Sequence, residues 1–188
     1  MLNVNANSIL TVTGTIVMTS LQITLDDIPD LQGKRVILTG GSSGIGLAAA
    51  RIFANKRATV YILDINPPST SYDGIEYLKC DIKSWAKLNE AFLYVGDFDI
   101  AVSNAGVSEE TDYFADTFDE KTGALLEPEY RVLDVNLRSV FNFTKLALSN
   151  FRRRKHPGSI VITSSATAYS PEQSLPVYSA SKLAVINP

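Results

Sequence analysis

The sequence has almost none of the side chains that thiol, zinc and histidine chemistry require. It contains one cysteine, Cys80, and one histidine, His156, in 188 residues. A lone thiol cannot form an internal disulfide, and a lone histidine excludes zinc sites with two or three histidines, so we predict no metal site. His156 would have to serve any Ser-His-Asp hydrolase, but it follows an arginine run in a predicted loop, which disfavours that class. We expect Cys80 to fill core space near the end of a strand.

Long apolar runs and a strong net charge are also missing. Residues 9–25 are moderately apolar but interrupted by polar side chains, and no lysine or arginine precedes Lys34. This pattern predicts neither a secretory signal nor a membrane-spanning helix. The formal net charge of −3 gives no general attraction to nucleic acid or to anionic membranes. We therefore expect a cytoplasmic protein with neither partner, and we interpret residues 1–30 as a weakly ordered extension of a domain over 31–188.

Short strands rich in valine and isoleucine alternate with helical patterns along the rest of the chain. Such alternation predicts a parallel sheet with helices on both faces, because the crossover helices cover it. The expected fold is α/β, a Rossmann-like doubly wound parallel sheet of five strands. The predicted strands are 35–39, 59–63, 76–80, 98–102 and 159–163, and the predicted helices are 44–55, 85–95, 129–151 and one that begins at Pro176.

A glycine-rich turn joins the first strand to the first helix. Residues 39–46 have the sequence TGGSSGIG. Glycines permit the tight turn and let backbone N–H groups approach a pyrophosphate, whose charge then faces the helix N-terminus. A plain glycine turn is the alternative, but the strand–loop–helix context favours a dinucleotide site. The predicted cofactor-binding residues of this turn are Gly40, Ser42, Ser43, Gly44, Ile45 and Gly46.

The acidic residue at the end of the second strand bears on the choice of cofactor. Asp64 lies near the spacing expected for a carboxylate that binds the adenosine ribose. A carboxylate accepts hydrogen bonds from ribose hydroxyls and repels a 2′-phosphate. Ile65 and Asn66 follow it, and Ser43 supplies no cation in the glycine turn. This combination favours NAD over NADP, although an ordinary polar strand end has the same appearance.

A tyrosine and a lysine lie four residues apart near the end of the sequence. Tyr178 and Lys182 fall on one face of the last predicted helix, one turn from each other. A free phenol has a pKa near 10, and a neighbouring ammonium favours the phenolate and lowers that pKa. The pair therefore predicts a proton donor and acceptor that works near neutrality, with a plain surface pair as the alternative.

The ordered set of motifs over roughly residues 31–186 resembles the short-chain dehydrogenase/reductase family. The resemblance implies hydride transfer between NAD and a secondary alcohol or ketone, in a family that is usually homo-oligomeric. By this resemblance, Asp81 and Ile82 match the pair that contacts adenine, and the family's NAG motif is matched by Asn104, Ala105 and Gly106. Asn136 and Ser165 match the catalytic asparagine and serine, which act with Tyr178 and Lys182.

Each of these catalytic residues has a role that the resemblance implies. Tyr178 would exchange the proton on the substrate oxygen, and Lys182 would assist it and hydrogen-bond the nicotinamide ribose. Ser165 would hold the reacting oxygen, and Asn136 would hold a water that links Lys182 to solvent. Taken singly, each of these residues also has a plain structural interpretation, as a polar strand end or a helix contact.

The stretches DFDIAVSNAG and GALLEPEYRVLDVNL are similar to fungal members described as 15-hydroxyprostaglandin-dehydrogenase-like. The family normally continues beyond the lysine with two more strands and a substrate lid, which this sequence lacks. We therefore interpret the chain as C-terminally truncated, with its fifth strand at an exposed sheet edge. A truncated, non-catalytic nucleotide-binding module is the alternative function. The acidic segment 108–129 is interpreted as a solvated loop or as a wall of the substrate cleft.

Overall fold

A computed structural model describes residues 24–186 and shows a five-stranded parallel sheet with helices on both faces. The strand order is β3-β2-β1-β4-β5, and every neighbouring pair is parallel. The predicted doubly wound α/β fold is thereby confirmed. The strands are β1 Arg35–Thr39, β2 Thr59–Asp64, β3 Ile75–Lys79, β4 Ile100–Ser103 and β5 Ser159–Ile162.

The helices alternate with these strands, as the periodicity predicted. Two short 3₁₀ turns, Leu25–Asp27 and Ala166–Ala168, accompany them. None of the helices within residues 24–186 combines the length and apolar character needed to cross a bilayer. The helices are α1 Gly44–Asn55, α2 Trp85–Val95, α3 Arg131–Leu133, a π-helical turn Asp134–Arg138, α4 Ser139–Arg154 and α5 Pro176–Ala184.

The sheet separates two apolar cores, which explains why its central strands are apolar on both faces. On one side, Phe92 makes edge-to-face contacts with Phe98 and Phe143 at ring-centroid distances of 5.5 and 5.2 Å. Cys80 joins this core with 2% of its surface exposed, directly after β3. On the other side, Ala50 of α1 packs against apolar side chains of β1 and β2.

Several predicted boundaries differ from the structure, by one to three residues. Strand β3 begins and ends one residue earlier than predicted, and β4 begins two residues later because Phe98 packs in the core ahead of the strand. The helix predicted over 129–151 begins at Arg131, ends at Arg154 and contains the π-helical turn. An apolar repeat reports which residues face the core, but it does not encode a local change from i+4 to i+5 hydrogen bonding.

Within residues 24–186, β5 is an edge strand of the sheet, and half of the Val161 surface is exposed there. The segment from Ser108 to Glu129 forms an irregular rim with one antiparallel bridge, between Phe118 and Leu125. The extension predicted over residues 1–30 lies mostly outside the described residues. Because the strand order reverses between β1 and β4, a crevice opens at the carboxyl ends of these strands.

Candidate active site

The crevice between the ends of β1 and β4 is an open cleft with a volume of about 1040 Å³. The glycine turn and Asp64 line one part of it. Tyr178 and Lys182 of α5 line another part. The two motifs that sequence analysis singled out at opposite ends of the domain therefore share one cavity.

The glycine turn packs so closely against neighbouring backbone that Gly40 and Gly46 cannot carry a side chain. A β-carbon on Gly46 would lie 2.0 Å from the carbonyl oxygen of Gly40, and one on Gly40 would lie 2.7 Å from the Cα atom of Ala105. Ser43 precedes α1 without capping it by a side-chain hydrogen bond. The first-turn amides of α1 thus lack a side-chain acceptor at the edge of the cleft, which is the arrangement that fits a dinucleotide pyrophosphate.

Asp64 is held by backbone amides at the end of β2. Its carboxylate accepts hydrogen bonds from the N–H groups of Ser42 and Asn66, at 3.1 and 3.2 Å. A carboxylate has about four lone-pair sites, so Asp64 retains acceptor capacity toward the cleft. Lys83 also lines this part of the cleft and forms an ion pair of 3.8 Å with Asp81. The arrangement fits an adenosine ribose and leaves the nearby cation already paired.

Asn104 connects three elements beneath the cleft. Its backbone N–H donates to Thr39 Oγ1 at 3.0 Å, and its side-chain Nδ2 donates to the Gly40 carbonyl at 3.3 Å. Its Oδ1 accepts from Thr163 Oγ1 at 3.2 Å. Ala105 N–H donates to the same Thr39 hydroxyl oxygen at 3.2 Å. The NAG segment is therefore locked to the glycine turn and to the end of β5.

Lys182 and Tyr178 lie on the same side of α5. The Lys182 ammonium is 5.7 Å from the centroid of the Tyr178 ring, and Lys182 is only 4% exposed. Its Nζ donates to the Thr163 carbonyl at 3.0 Å. Burial lowers the pKa of Lys182, and no carboxylate within residues 24–186 contributes to that shift. The lysine is therefore a buried cation held by one carbonyl beside the phenol.

Asn136 lies in the π-helical turn and joins the NAG segment to α5. Its side-chain amide pairs with the backbone N–H and C=O of Val107, at 2.9 and 2.8 Å, and donates to Ser181 Oγ at 3.2 Å. The Ser181 hydroxyl in turn donates to the Tyr178 carbonyl at 2.7 Å. These contacts give Asn136 a positional role, and its role in a proton relay stays a prediction. π-Helical turns are frequent at functional sites.

The Ser165 hydroxyl is prepared to donate a hydrogen bond. Ser165 begins the 3₁₀ turn after β5, and its Oγ accepts from the Thr167 backbone N–H at 3.2 Å and from the Thr167 hydroxyl at 3.0 Å. Both lone pairs of the oxygen are then occupied, so its own hydrogen is the group left to interact with a partner in the cleft. Ser165 lines the cleft.

The structure brings most of the predicted site residues to the cleft. Ser42, Gly46 and Asn136 do not line it and act through the contacts given above. Sequence analysis missed Thr39, Thr163 and Ser181, because isolated hydroxyl residues carry no spacing signal. The predicted residues that line the cleft are Gly40, Ser43, Gly44, Ile45, Asp64, Asp81, Ile82, Asn104, Ala105, Gly106, Ser165, Tyr178 and Lys182.

Within residues 24–186 no group of three or more His, Cys, Asp or Glu side chains is arranged to hold a metal ion. The parallel sheet with a glycine turn at its switch point defines a Rossmann-like dinucleotide-binding class of protein. The family model described as short chain dehydrogenase matches residues 34–187. The chain therefore belongs to the short-chain dehydrogenase family, as its motifs predicted.

Curated relatives of high similarity are fungal. The chain is 54% identical over 171 residues to the short-chain dehydrogenase/reductase prx4 of Penicillium roqueforti, covering 90% of this chain and 52% of the relative. It is 45% identical over 177 residues to the short-chain dehydrogenase/reductase ATR7 of Stachybotrys chlorohalonatus, covering 90% of this chain and 55% of the relative. The chain thus spans about half the length of the curated relatives it matches.

Solved structures of the same family share the fold. A 3-ketoacyl-(acyl-carrier-protein) reductase from Brucella melitensis, complexed with NADH, matches with a TM-score of 0.70 at 27% identity, over 83% of this chain and 67% of that one. A short chain dehydrogenase from Leptospira borgpetersenii with bound NAD+ matches with a TM-score of 0.73 at 25% identity, over 92% and 68%. Each of these two proteins was solved with a nicotinamide cofactor bound.

Proposed function

We propose that the chain carries the NAD-binding and proton-transfer site of an oxidoreductase that acts on a small secondary alcohol or ketone. The observation that carries the proposal is the shared cleft, in which Tyr178 and a buried Lys182 lie with the glycine turn and Asp64. A bound nicotinamide would supply or accept the hydride. The protein's own contribution is placement and electrostatics.

The proton is assigned to Tyr178. Its phenol donates to the forming alkoxide in reduction, and its phenolate accepts the alcohol proton in oxidation. The Lys182 ammonium, whose Nζ lies 5.7 Å from the centroid of the Tyr178 ring, would assist this proton transfer electrostatically and would hydrogen-bond the nicotinamide ribose. Ser165 donates its hydroxyl hydrogen to the same substrate oxygen. Asn136 retains its proposed water-holding role.

The adenosine half of NAD is assigned to the other part of the cleft. Asp64 would accept from the ribose hydroxyls, Asp81 and Ile82 would contact adenine, and the first-turn amides of α1 would hold the pyrophosphate. Repulsion between Asp64 and a 2′-phosphate supports NAD over NADP. We expect at least about a tenfold preference for NAD in binding, since opposed like charges cost several kcal/mol. The Asp64→Asn variant keeps one acceptor oxygen, removes the charge and should reduce that preference.

The decisive test is NADH formation from a panel of secondary alcohols by the wild-type chain and by Tyr178→Phe. Losing the acid–base group should lower kcat by at least about 100-fold, while NAD affinity measured by calorimetry stays near the wild-type value. Tyr169→Phe is the matched control, because Tyr169 is 79% exposed and does not line the cleft. Equal turnover by Tyr178→Phe and wild type would refute the assignment.

The alternative is a non-catalytic nucleotide-binding module. NAD binding without turnover on any substrate would support this alternative. Binding and turnover together support the enzyme.

We propose a cytoplasmic location on the basis of the single unpaired cysteine.

A further inference from the structure

We infer that Glu109 is a positioning residue that holds the N-terminus of α5 and thereby places Tyr178 and Lys182 in the cleft. The inference rests on the proposed function. Glu109 belongs to the acidic segment 108–129, which sequence analysis left open as a solvated loop or a wall of the cleft. In the structure its carboxylate is hydrogen-bonded to a helix that begins 67 residues later, at Pro176.

The contacts are direct and converge on one oxygen. The Glu109 carboxylate accepts from the Val177 N–H through Oε1 at 2.6 Å. It also accepts from the Tyr178 N–H, at 3.0 Å through Oε1 and at 3.2 Å through Oε2. The amide that Glu109 fixes is therefore that of the residue assigned to proton transfer.

Helix α5 has no cap of its own at this end. Its N-cap position is Leu175, which has no side-chain acceptor, and Pro176 at the first position carries no N–H. Val177 and Tyr178 occupy the next two positions, whose amides have no acceptor inside the helix. Glu109 supplies the acceptor for both. Its negative charge also lies at the positive end of the helix dipole, where it is stabilising.

The length of α5 makes this contact important. The helix has nine residues, and helices of this size are marginal without capping and packing. Other tethers act farther along it, among them the hydrogen bond from Lys182 Nζ to the Thr163 carbonyl. Ser181 is bonded to Asn136, and the Lys182 carbonyl accepts from the Ser164 hydroxyl at 2.7 Å. Glu109 is the acceptor for the Val177 and Tyr178 amides of the first turn, so its loss should loosen the Tyr178 end while the Lys182 end stays attached.

The test compares Glu109→Ala, Glu109→Gln and the control Glu120→Ala by residue-resolved amide exchange. Losing the acceptor should speed exchange of the Val177 and Tyr178 amides by about 2- to 30-fold in Glu109→Ala, the range expected for a lost cap. Glu109→Gln should keep most of the protection, because one carbonyl oxygen can accept from both amides. Glu120 is an exposed acid of the same segment, and its replacement should change neither rate.

The kinetic readout separates positioning from general destabilisation. In Glu109→Ala, kcat should fall by at least about tenfold because the phenol is misplaced, while KM for NAD changes little because the glycine turn and Asp64 are intact. Glu109→Gln should restore kcat to near the wild-type value. If Glu109→Ala does not fold, Glu109→Met replaces it, since methionine keeps the side-chain length without an oxygen acceptor.

Two results would overturn the inference. One is unchanged exchange of both amides in Glu109→Ala, or in Glu109→Met if that variant replaces it. The other is failure of Glu109→Gln to restore protection. If the wild-type chain shows no turnover, the proposed function fails, but the exchange experiment still decides whether Glu109 anchors α5.

Discussion

Replacing Lys182 with methionine should stabilise the fold and abolish the proposed reaction. Lys182 is a buried cation whose Nζ has a hydrogen bond to the Thr163 carbonyl and no carboxylate partner within residues 24–186. Burial lowers its pKa, which means that the folded environment disfavours the ammonium relative to water. Methionine has a similar length, carries no charge and fills the same space.

Two opposing effects set the magnitude of the change in stability. Removing the charge recovers a desolvation cost that amounts to several kcal/mol for a buried ion. Losing the charged hydrogen bond to the Thr163 carbonyl costs about 1.5–3 kcal/mol. We expect desolvation to prevail, so that Lys182→Met gains about 1–2 kcal/mol at neutral pH. For a chain of this size, that gain corresponds to a Tm increase of about 2–8 °C.

The pH dependence gives the effect a signature. Because the pKa of Lys182 is lower in the folded state than its ordinary value of 10.5, the unfolded state binds more protons between those two values. The free energy of unfolding of the wild type is therefore lowered by the full desolvation cost below the folded pKa, and it increases as the pH rises toward 10.5. Lys182→Met lacks this recovery, so its advantage should shrink as the pH rises through that window.

Denaturant unfolding of both proteins across this pH range measures the effect, together with NADH formation at neutral pH. Lys145→Met is the control, because Lys145 is exposed on α4 and its replacement should change stability little. The reasoning is refuted if Lys182→Met is less stable than the wild type at neutral pH, or if the difference between the two proteins does not depend on pH. Retained turnover would refute the catalytic assignment separately.

Three further outcomes follow from the same contacts. Gly46→Ala should cost about 1–3 kcal/mol of stability and weaken NAD binding measured by calorimetry, because the alanine β-carbon would lie 2.0 Å from the Gly40 carbonyl oxygen. Gly33→Ala is the control: Gly33 has φ 78°, a β-carbon there would meet no atom within 4 Å, and NAD affinity should stay unchanged. Burial raises the pKa of Cys80 from 9.0 to about 11. The contribution of the buried neutral thiol to the free energy of unfolding is thus complete below pH 9.0 and decreases by about 2 kcal/mol as the pH rises to the pKa of the folded state. Cys80→Ala should remove this decrease from pH-dependent unfolding curves. Thr167→Val should lower kcat but not NAD affinity, because Ser165 Oγ then no longer accepts a hydrogen bond from the Thr167 hydroxyl and is free to rotate away from the substrate oxygen. An unchanged kcat would count against the proposed role of Ser165 as a donor to that oxygen.

The fold could be predicted because its signals are local. The apolar strands and the TGGSSGIG turn each report on their own conformation, and β1, α1 and α2 have the predicted bounds. The Tyr178–Lys182 pair was equally accessible, since four-residue spacing on a helix fixes a shared face.

The contacts that hold the site together could not be predicted, because they join residues far apart in sequence. Nothing near Glu109 distinguishes it from the other acids of segment 108–129, and its partners lie at the start of α5. The π-helical turn at Asn136, the hydroxyl bridge through Thr39 and the contact between Asn136 and Ser181 likewise depend on the assembled tertiary structure. The C-terminal truncation and the prostaglandin-dehydrogenase-like subgroup stay predictions.

The most direct test of the central claim is a map of backbone amide chemical shifts on titration with NAD. The account predicts saturable changes at the glycine turn, at Asp64, at Gly106 and at Lys182, the groups that share the cleft. It also predicts no comparable response to NADP at the same concentration. Saturable shifts confined to the rim of segment 108–129, or no change at Gly44–Gly46, would contradict the assignment of the cleft to a dinucleotide.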